Sequence, residues 1–107
     1  MARVALLCPD LLFGSKVEGA LAAAGHEVVH VDSPQGAGDA DVLVVDLTAD
    51  VDERIAALRA EPAPPTLAFY SHVEQDVRRQ AEEAGVTRVV PRSRMAREGA
   101  ALVEAML

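Results

Sequence analysis

Residues 41–48 read DVLVVDLT, from Asp41 to Thr48. Val42, Leu43, Val44 and Val45 form an unbroken apolar run, too short for a buried helix and rich in β-branched side chains. Such a run predicts a strand covered on both faces, as in the middle of a parallel sheet. Asp46 follows at once. A carboxylate is costly to bury, so it is expected at the carboxyl end of the strand, where the chain leaves the sheet. Open α/β sheets bind ligands along that edge, which makes Asp46 the first candidate functional residue.

Upstream, Val4–Cys8 (VALLC) is a second short apolar run and the first strand of the chain. Pro9 ends it, and Asp10 stands where a helix N-cap is wanted. Phe13, Val17, Leu21 and Ala24 then recur at helical spacing, and Gly25 suits a left-handed helix end. His26–Asp32 reads as the second strand. Only Ser33–Ala40 (SPQGAGDA) separates it from the third. Parallel strands usually need a crossover of about a dozen residues or more, commonly a helix. Pro34, Gly36 and Gly38 oppose a helix here. The second crossover helix is therefore expected to be reduced to a loop, leaving one face of the sheet without its helical cover.

Downstream, Val51, Ile55 and Leu58 predict a helix, with Asp50 and Glu53 spaced as a capping box. Glu61–Pro65 (EPAPP) is an extended connector. Thr66–Tyr70 (TLAFY) is the fourth strand. Ser71 and Glu74 are spaced as a second capping box ahead of Val73, Val77, Ala81 and Ala84, and Gly85 ends that helix. Val86–Val90 is the fifth strand, Pro91–Arg94 a polar turn, and Met95–Leu107 a closing helix with Leu102, Val103 and Met106 inward. Five strands alternating with four helices predict one α/β domain over residues 1–107, an open doubly wound parallel sheet of order 2-1-3-4-5. A closed barrel of such units would need far more chain.

Composition narrows the function. The chain has 107 residues, half of them hydrophobic, yet only Phe13, Phe69 and Tyr70 are aromatic, so Ala, Val and Leu must fill the core. The formal charge of −7 argues against a nucleic-acid partner, although Arg78, Arg79, Arg88, Arg92, Arg94 and Arg97 cluster late enough to suggest a local basic strip. Cys8 is the single cysteine, which excludes a disulfide framework and a cysteine zinc site. No apolar run approaches membrane-spanning length and the first residues lack a signal-peptide pattern, so a cytoplasmic protein with no membrane partner is expected.

Asp10, Asp46, Ser71 and Arg92 follow the first, third, fourth and fifth strands, and all four are expected on one edge of the sheet. With ADVLVVDL in the middle and AGVTRVVPRS near the end, the layout resembles the flavodoxin-like receiver domain of bacterial response regulators over nearly the whole chain. The resemblance implies that Asp46 is the phosphoacceptor, that Asp10 and Asp46 are Mg²⁺ carboxylates, and that Ser71 is the switch hydroxyl. Metal and cations would neutralise the charge an incoming phosphoryl group brings. Several positions depart from the pattern. Pro9 stands where a second acidic ligand is expected. The phosphate-contacting Lys falls on Arg92, preceded rather than followed by a proline. Val89 stands at the aromatic switch position. The Pro and Gly that follow the acceptor in the family are absent from LTADVDE.

The resulting expectation is a degenerate receiver-like module, without enzymatic activity or cofactor, that signals by binding a protein partner or a second copy of itself on the face left open by the short crossover. Arg92 could then pair with Asp46 as a fixed substitute for metal and phosphate. Alternatives are a working phosphoacceptor that uses Asp46 with Mg²⁺, and a Cys8-dependent phosphotransfer protein. The latter follows from a likeness of the first strand and loop to phosphocysteine subunits of sugar phosphotransferase systems and to low-molecular-weight tyrosine phosphatases. In that comparison the loop is PDLLFGS, and the phosphatase arginine falls on Gly14. His72 lies near the same edge. His26 and His30 flank the second strand with no matching carboxylate in view.

Overall fold

Ten short elements build the chain in this computed structural model, which describes residues 1–60, 62–71 and 73–107. Glu61, in the expected connector, and His72, in the expected second capping box, lie outside the described residues. The order is β1 (Arg3–Leu7), α1 (Leu11–Ala23), β2 (Glu27–His30), a single 3₁₀ turn (Pro34–Ala37), β3 (Val42–Asp46), α2 (Val51–Ala60), β4 (Thr66–Tyr70), α3 (Gln75–Glu83), β5 (Arg88–Pro91) and α4 (Arg92–Glu104). The strands form one parallel sheet of order β2-β1-β3-β4-β5, the flavodoxin-like α/β arrangement.

The period-2 alternation of strand side chains divides the apolar run of β3 between two cores. Val42 and Val44 join Val4, Leu6, Leu67, Phe69 and Val90 against α1 and α4. Leu43 and Val45 join Ala5, Leu7, Ala68 and Tyr70 against α2 and α3. Every residue of β3 and β4 is buried, which explains why these strands read as continuous apolar runs rather than alternating ones.

The crossover between β2 and β3 does lack an α-helix, but the face beneath it is not open. Ala37 and Ala40 are buried in the same cluster as Ala5, Leu7 and Leu43, with Ile55 and Leu58 of α2 beside them. Small side chains let the 3₁₀ turn lie flat on β1 and β3 and do the work of a longer helix. The expected uncovered docking face is therefore absent.

The first helix starts as expected, and later ones differ. Asp10 does cap α1, its Oδ1 accepting the Phe13 N–H at 3.0 Å. Before α2, Asp50 takes a left-handed φ of 51° and its Oδ2 lies 3.6 Å from Arg54 Nη2. Ser71 does not cap α3. The helix begins at Gln75 after Glu74, and the Ser71 carbonyl instead accepts the Glu74 N–H at 2.8 Å. That shift leaves Val73 outside the helix and 75% exposed, rather than on its buried face. Pro91–Arg94 is no turn, because α4 starts at Arg92 directly after Pro91. Ala24 caps α1 and is exposed, and Gly25 follows at φ 91°. α4 is bent at Glu98, whose φ of −127° and ψ of 15° are not helical. The next residue, Gly99, packs against Met95; a Cβ there would meet Met95 Cε at 3.2 Å.

Candidate functional site

Asp46 is the last residue of β3 and only 3% exposed. Its Oδ1 accepts the Thr48 N–H at 2.7 Å and the Thr48 hydroxyl at 2.5 Å. The first of these is the local turn in which an Asp side chain bonds the backbone two residues on. Its Oδ2 lies 3.8 Å from the Cys8 thiol. The carbonyl of Asp46 accepts from Arg54 Nη1 at 2.7 Å, and the same nitrogen donates to the Ala49 carbonyl at 2.8 Å. Arg54 thus fastens the loop between β3 and α2 from inside. Thr48 and Arg54 are neighbours of Asp46 at this candidate site that sequence reasoning missed; the D-x-T spacing was the signal for the first.

Asp10 sits after β1 with both carboxylate oxygens engaged. Oδ1 caps α1, and Oδ2 accepts from Arg92 Nη2 at 3.2 Å. The Arg92 guanidinium lies over the Phe13 ring, 4.3 Å from its centroid, and the Phe13 ring stacks obliquely on Phe69 at 5.0 Å. Arg92 therefore pairs with Asp10 and not with Asp46. The reason is that α1 and α4 lie on the same face of the sheet and bring their N-terminal turns together. Both partners of the pair are about half exposed, so its net contribution to stability is small. Ser71 lines an open groove of about 400 Å³ with Phe13, Arg92, Ser93 and Ala96.

Cys8 lies between these two centres, its Sγ 3.7 Å from the Asp10 carbonyl and 3.8 Å from Asp46 Oδ2. Burial, followed by the negative charge of Asp46, pushes the Cys8 thiol up from 9.0 to about 11. A phosphate-accepting cysteine needs the opposite shift, toward thiolate. Gly14, at the position compared with a phosphatase arginine, packs directly on Cys8: a Cβ there would meet the Cys8 carbonyl at 3.4 Å.

Mg²⁺ takes about six oxygens in a near-octahedral array. Pro9 offers no donor side chain, Asp10 is held by Phe13 and Arg92, and Asp46 is held by Thr48 and Cys8. Among the described residues, no three His, Cys, Asp or Glu side chains converge as a metal-binding group. The side chains gathered here do not fit a Mg²⁺ ion.

Outside the edge, two expectations change. The histidines do have carboxylates. His30 Nε2 is 2.8 Å from Glu18 Oε1, and His26 Nε2 is 3.3 Å from Glu104 Oε1 while its Nδ1 accepts the Ala2 N–H at 3.1 Å. Among the described residues, all the late arginines but Arg88 face a carboxylate rather than standing as a bare basic strip, with Arg92 on Asp10. Arg78 faces Glu82, Arg79 faces Asp76 and Glu83, and Arg94 and Arg97 face Glu98. Among the described residues, no helix is long and apolar enough to cross a membrane.

No protein-family model matches the sequence, and no curated protein is detectably similar to it. Solved structures are similar in fold. A response regulator from Thermotoga maritima is 17% identical, with a TM-score of 0.78 over 99% of this chain and 97% of that one. A response regulator from Hahella chejuensis is 18% identical, with a TM-score of 0.78 over 100% and 96%. The signal receiver domain of the response regulator NarL from Mycobacterium tuberculosis is 24% identical, with a TM-score of 0.75 over 98% and 95%. In fold, this chain is a receiver-like domain.

Proposed function

We propose that the chain is a signalling module that acts by binding a protein partner at the carboxyl edge of its sheet, has no enzymatic activity of its own, and is not switched by Mg²⁺-dependent phosphorylation of Asp46. The observation that carries this reading is the occupation of both acidic side chains from within. Arg92 holds Asp10 at 3.2 Å, while Thr48 and Cys8 hold Asp46. Thr48 takes up Asp46 Oδ1, so a phosphoryl donor would have to reach Oδ2 beside the Cys8 thiol and approach an anion with no Lys among its described partners, against a charge barrier that metal and cations normally remove. Internal partners stand instead where metal and phosphate would make their contacts.

A working acceptor is the second reading, favoured by the position of Asp46 at the end of β3 with Ser71 and Arg92 along the same edge. A Cys8 phosphotransfer protein is disfavoured by the raised thiol pKa. Amide NMR separates the first two. Mg²⁺ followed by beryllofluoride, a mimic of aspartyl phosphate, should leave Asp10, Asp46, Ser71 and Arg92 unshifted. Shifts centred on those residues and abolished in Asp46→Asn establish the acceptor reading instead.

A further inference from the structure

Three large apolar side chains stand exposed away from the chain termini, among the described residues, and all three lie at one edge. Leu11 (84%) and Leu12 (87%) open α1 after β1, and Val73 (75%) follows β4. The groove of Phe13, Ser71, Arg92, Ser93 and Ala96 opens at the same edge, on the α1 and α4 side of the sheet. Exposed apolar side chains gathered this way mark a docking surface rather than ordinary scatter.

Charge decides what the surface accepts. On the α2 and α3 side of the same edge stand Asp32 in the connection after β2, Glu53 in the first turn of α2, and Glu74 before α3, all exposed. None of these three makes an ion pair among the described residues, whereas the neighbouring arginines are already held: Arg54 by Asp50, Arg79 by Asp76, Arg92 by Asp10. Lys16 stands apart, on α1. The edge thus carries exposed apolar side chains beside carboxylates with no ion-pair partner among the described residues. A second copy of the chain, with the same acidic side and a formal charge of −7, would set carboxylate against carboxylate. A polyanion is repelled for the same reason.

We propose that this edge receives a basic amphipathic helix from another protein, its apolar stripe on Leu11, Leu12 and Val73 and its Lys or Arg face toward Asp32, Glu53 and Glu74. The dimensions agree. Five strands about 4.8 Å apart make an edge roughly 19 Å long, the length of a helix of about thirteen residues, and helix-in-groove docking uses this division of faces. The proposal rests on the partner-binding reading above and supplies the chemistry of the partner.

The test uses two synthetic peptides of about fourteen residues, one of Leu and Lys with Leu at helical spacing, the other with Glu in place of every Lys. Anisotropy of the labelled peptides gives affinity, and amide NMR gives location. The Leu/Lys peptide should bind, shift Leu11, Leu12, Val73 and Glu74, and weaken as salt rises. The double variant Leu11→Ser with Leu12→Ser should lose at least tenfold in affinity while keeping its native spectrum, and the Leu/Glu peptide should not bind. Equal binding by the double variant, equal binding of the Leu/Glu peptide, or shifts centred elsewhere overturns the proposal. So does light scattering that shows the chain pairing with itself through Leu11 and Leu12. A beryllofluoride response at Asp46 removes the unphosphorylated reading and leaves this surface standing; a silent pocket with no peptide binding removes this proposal alone.

Discussion

Cys8 should be a slow thiol, and by a calculable amount. Raising its pKa from 9.0 to about 11 lowers the thiolate fraction at pH 8 by about 100-fold, since each unit is a factor of ten in the ionisation equilibrium. The more basic thiolate is a better nucleophile, and with a Brønsted slope of about 0.4–0.5 it recovers roughly 8-fold. Alkylation by iodoacetamide should therefore run about ten times slower than in an unstructured peptide spanning Cys8, before any hindrance from burial. Mass spectrometry across an alkaline pH series measures this directly. The peptide rate should level off above 9 while the folded chain is still gaining speed toward 11. Asp46→Asn should move the midpoint down but not back to 9.0, because burial is the larger cause and survives the substitution. The linkage has a definite sign. The folded state favours the protonated thiol, so the contribution of Cys8 to stability is intact below pH 9 and is lost as the pH rises through about 11. A folded-state midpoint at or below that of the peptide, or faster alkylation than the peptide, refutes the electrostatic account of this site.

Other substitutions test the framework. Leu67→Ala, at a side chain with 0% exposure in β4, should cost about 2–5 kcal/mol in urea unfolding; a midpoint within error of the parent would mean that the two-core packing is misassigned. Thr48→Val keeps the backbone bond to Asp46 but removes the hydroxyl bond. A lost bond to a buried carboxylate should lower stability by about 1.5–3 kcal/mol, and no loss by the same assay would show that Thr48 is not holding Asp46. Gly25→Ala meets no atom within 4 Å but must adopt a φ of 91°, so a loss of about 1–2 kcal/mol is expected from the backbone alone. A neutral result in thermal unfolding would contradict the left-handed geometry.

The parts of the fold legible in the sequence were those set by local pattern. The apolar run of Val42–Val45 read as a central strand, and the alternation of strands and helices around it implied a parallel sheet, for which the order 2-1-3-4-5 best fits a chain of this length. What local pattern could not carry was which element would compete for the same group. Ser71 and Glu74 have capping-box spacing, yet the Ser71 carbonyl takes the Glu74 N–H and the helix begins later. Pro91 looked like a turn, but its fixed φ of −63° leads straight into α4. Ala37 and Ala40 gave no sign that two small residues would close a face of the sheet. At the candidate site, the strand ends placed Asp10, Asp46, Ser71 and Arg92 along one edge, but pairing within that edge depends on which helices share a face. Arg92 meets Asp10, 82 residues away in sequence, because α1 and α4 pack together. His30 with Glu18 was recoverable, since a parallel crossover must lay α1 against β2.

The bend at Glu98 should divide α4 into two cooperative units rather than one. A residue with non-helical φ and ψ sits inside the run, a weak point for carrying protection from one end of the rod to the other. The segment after the bend is anchored by Leu102 and Val103 in the core, whereas the turns before it carry Arg92 and rely on Met95 alone for deep burial. Hydrogen exchange along α4 should therefore step at the bend, with the leading turns opening on their own while the trailing ones wait for global unfolding. The Arg92 end of the groove can thus change its shape at the expense of two turns of helix, without loosening the sheet beneath it.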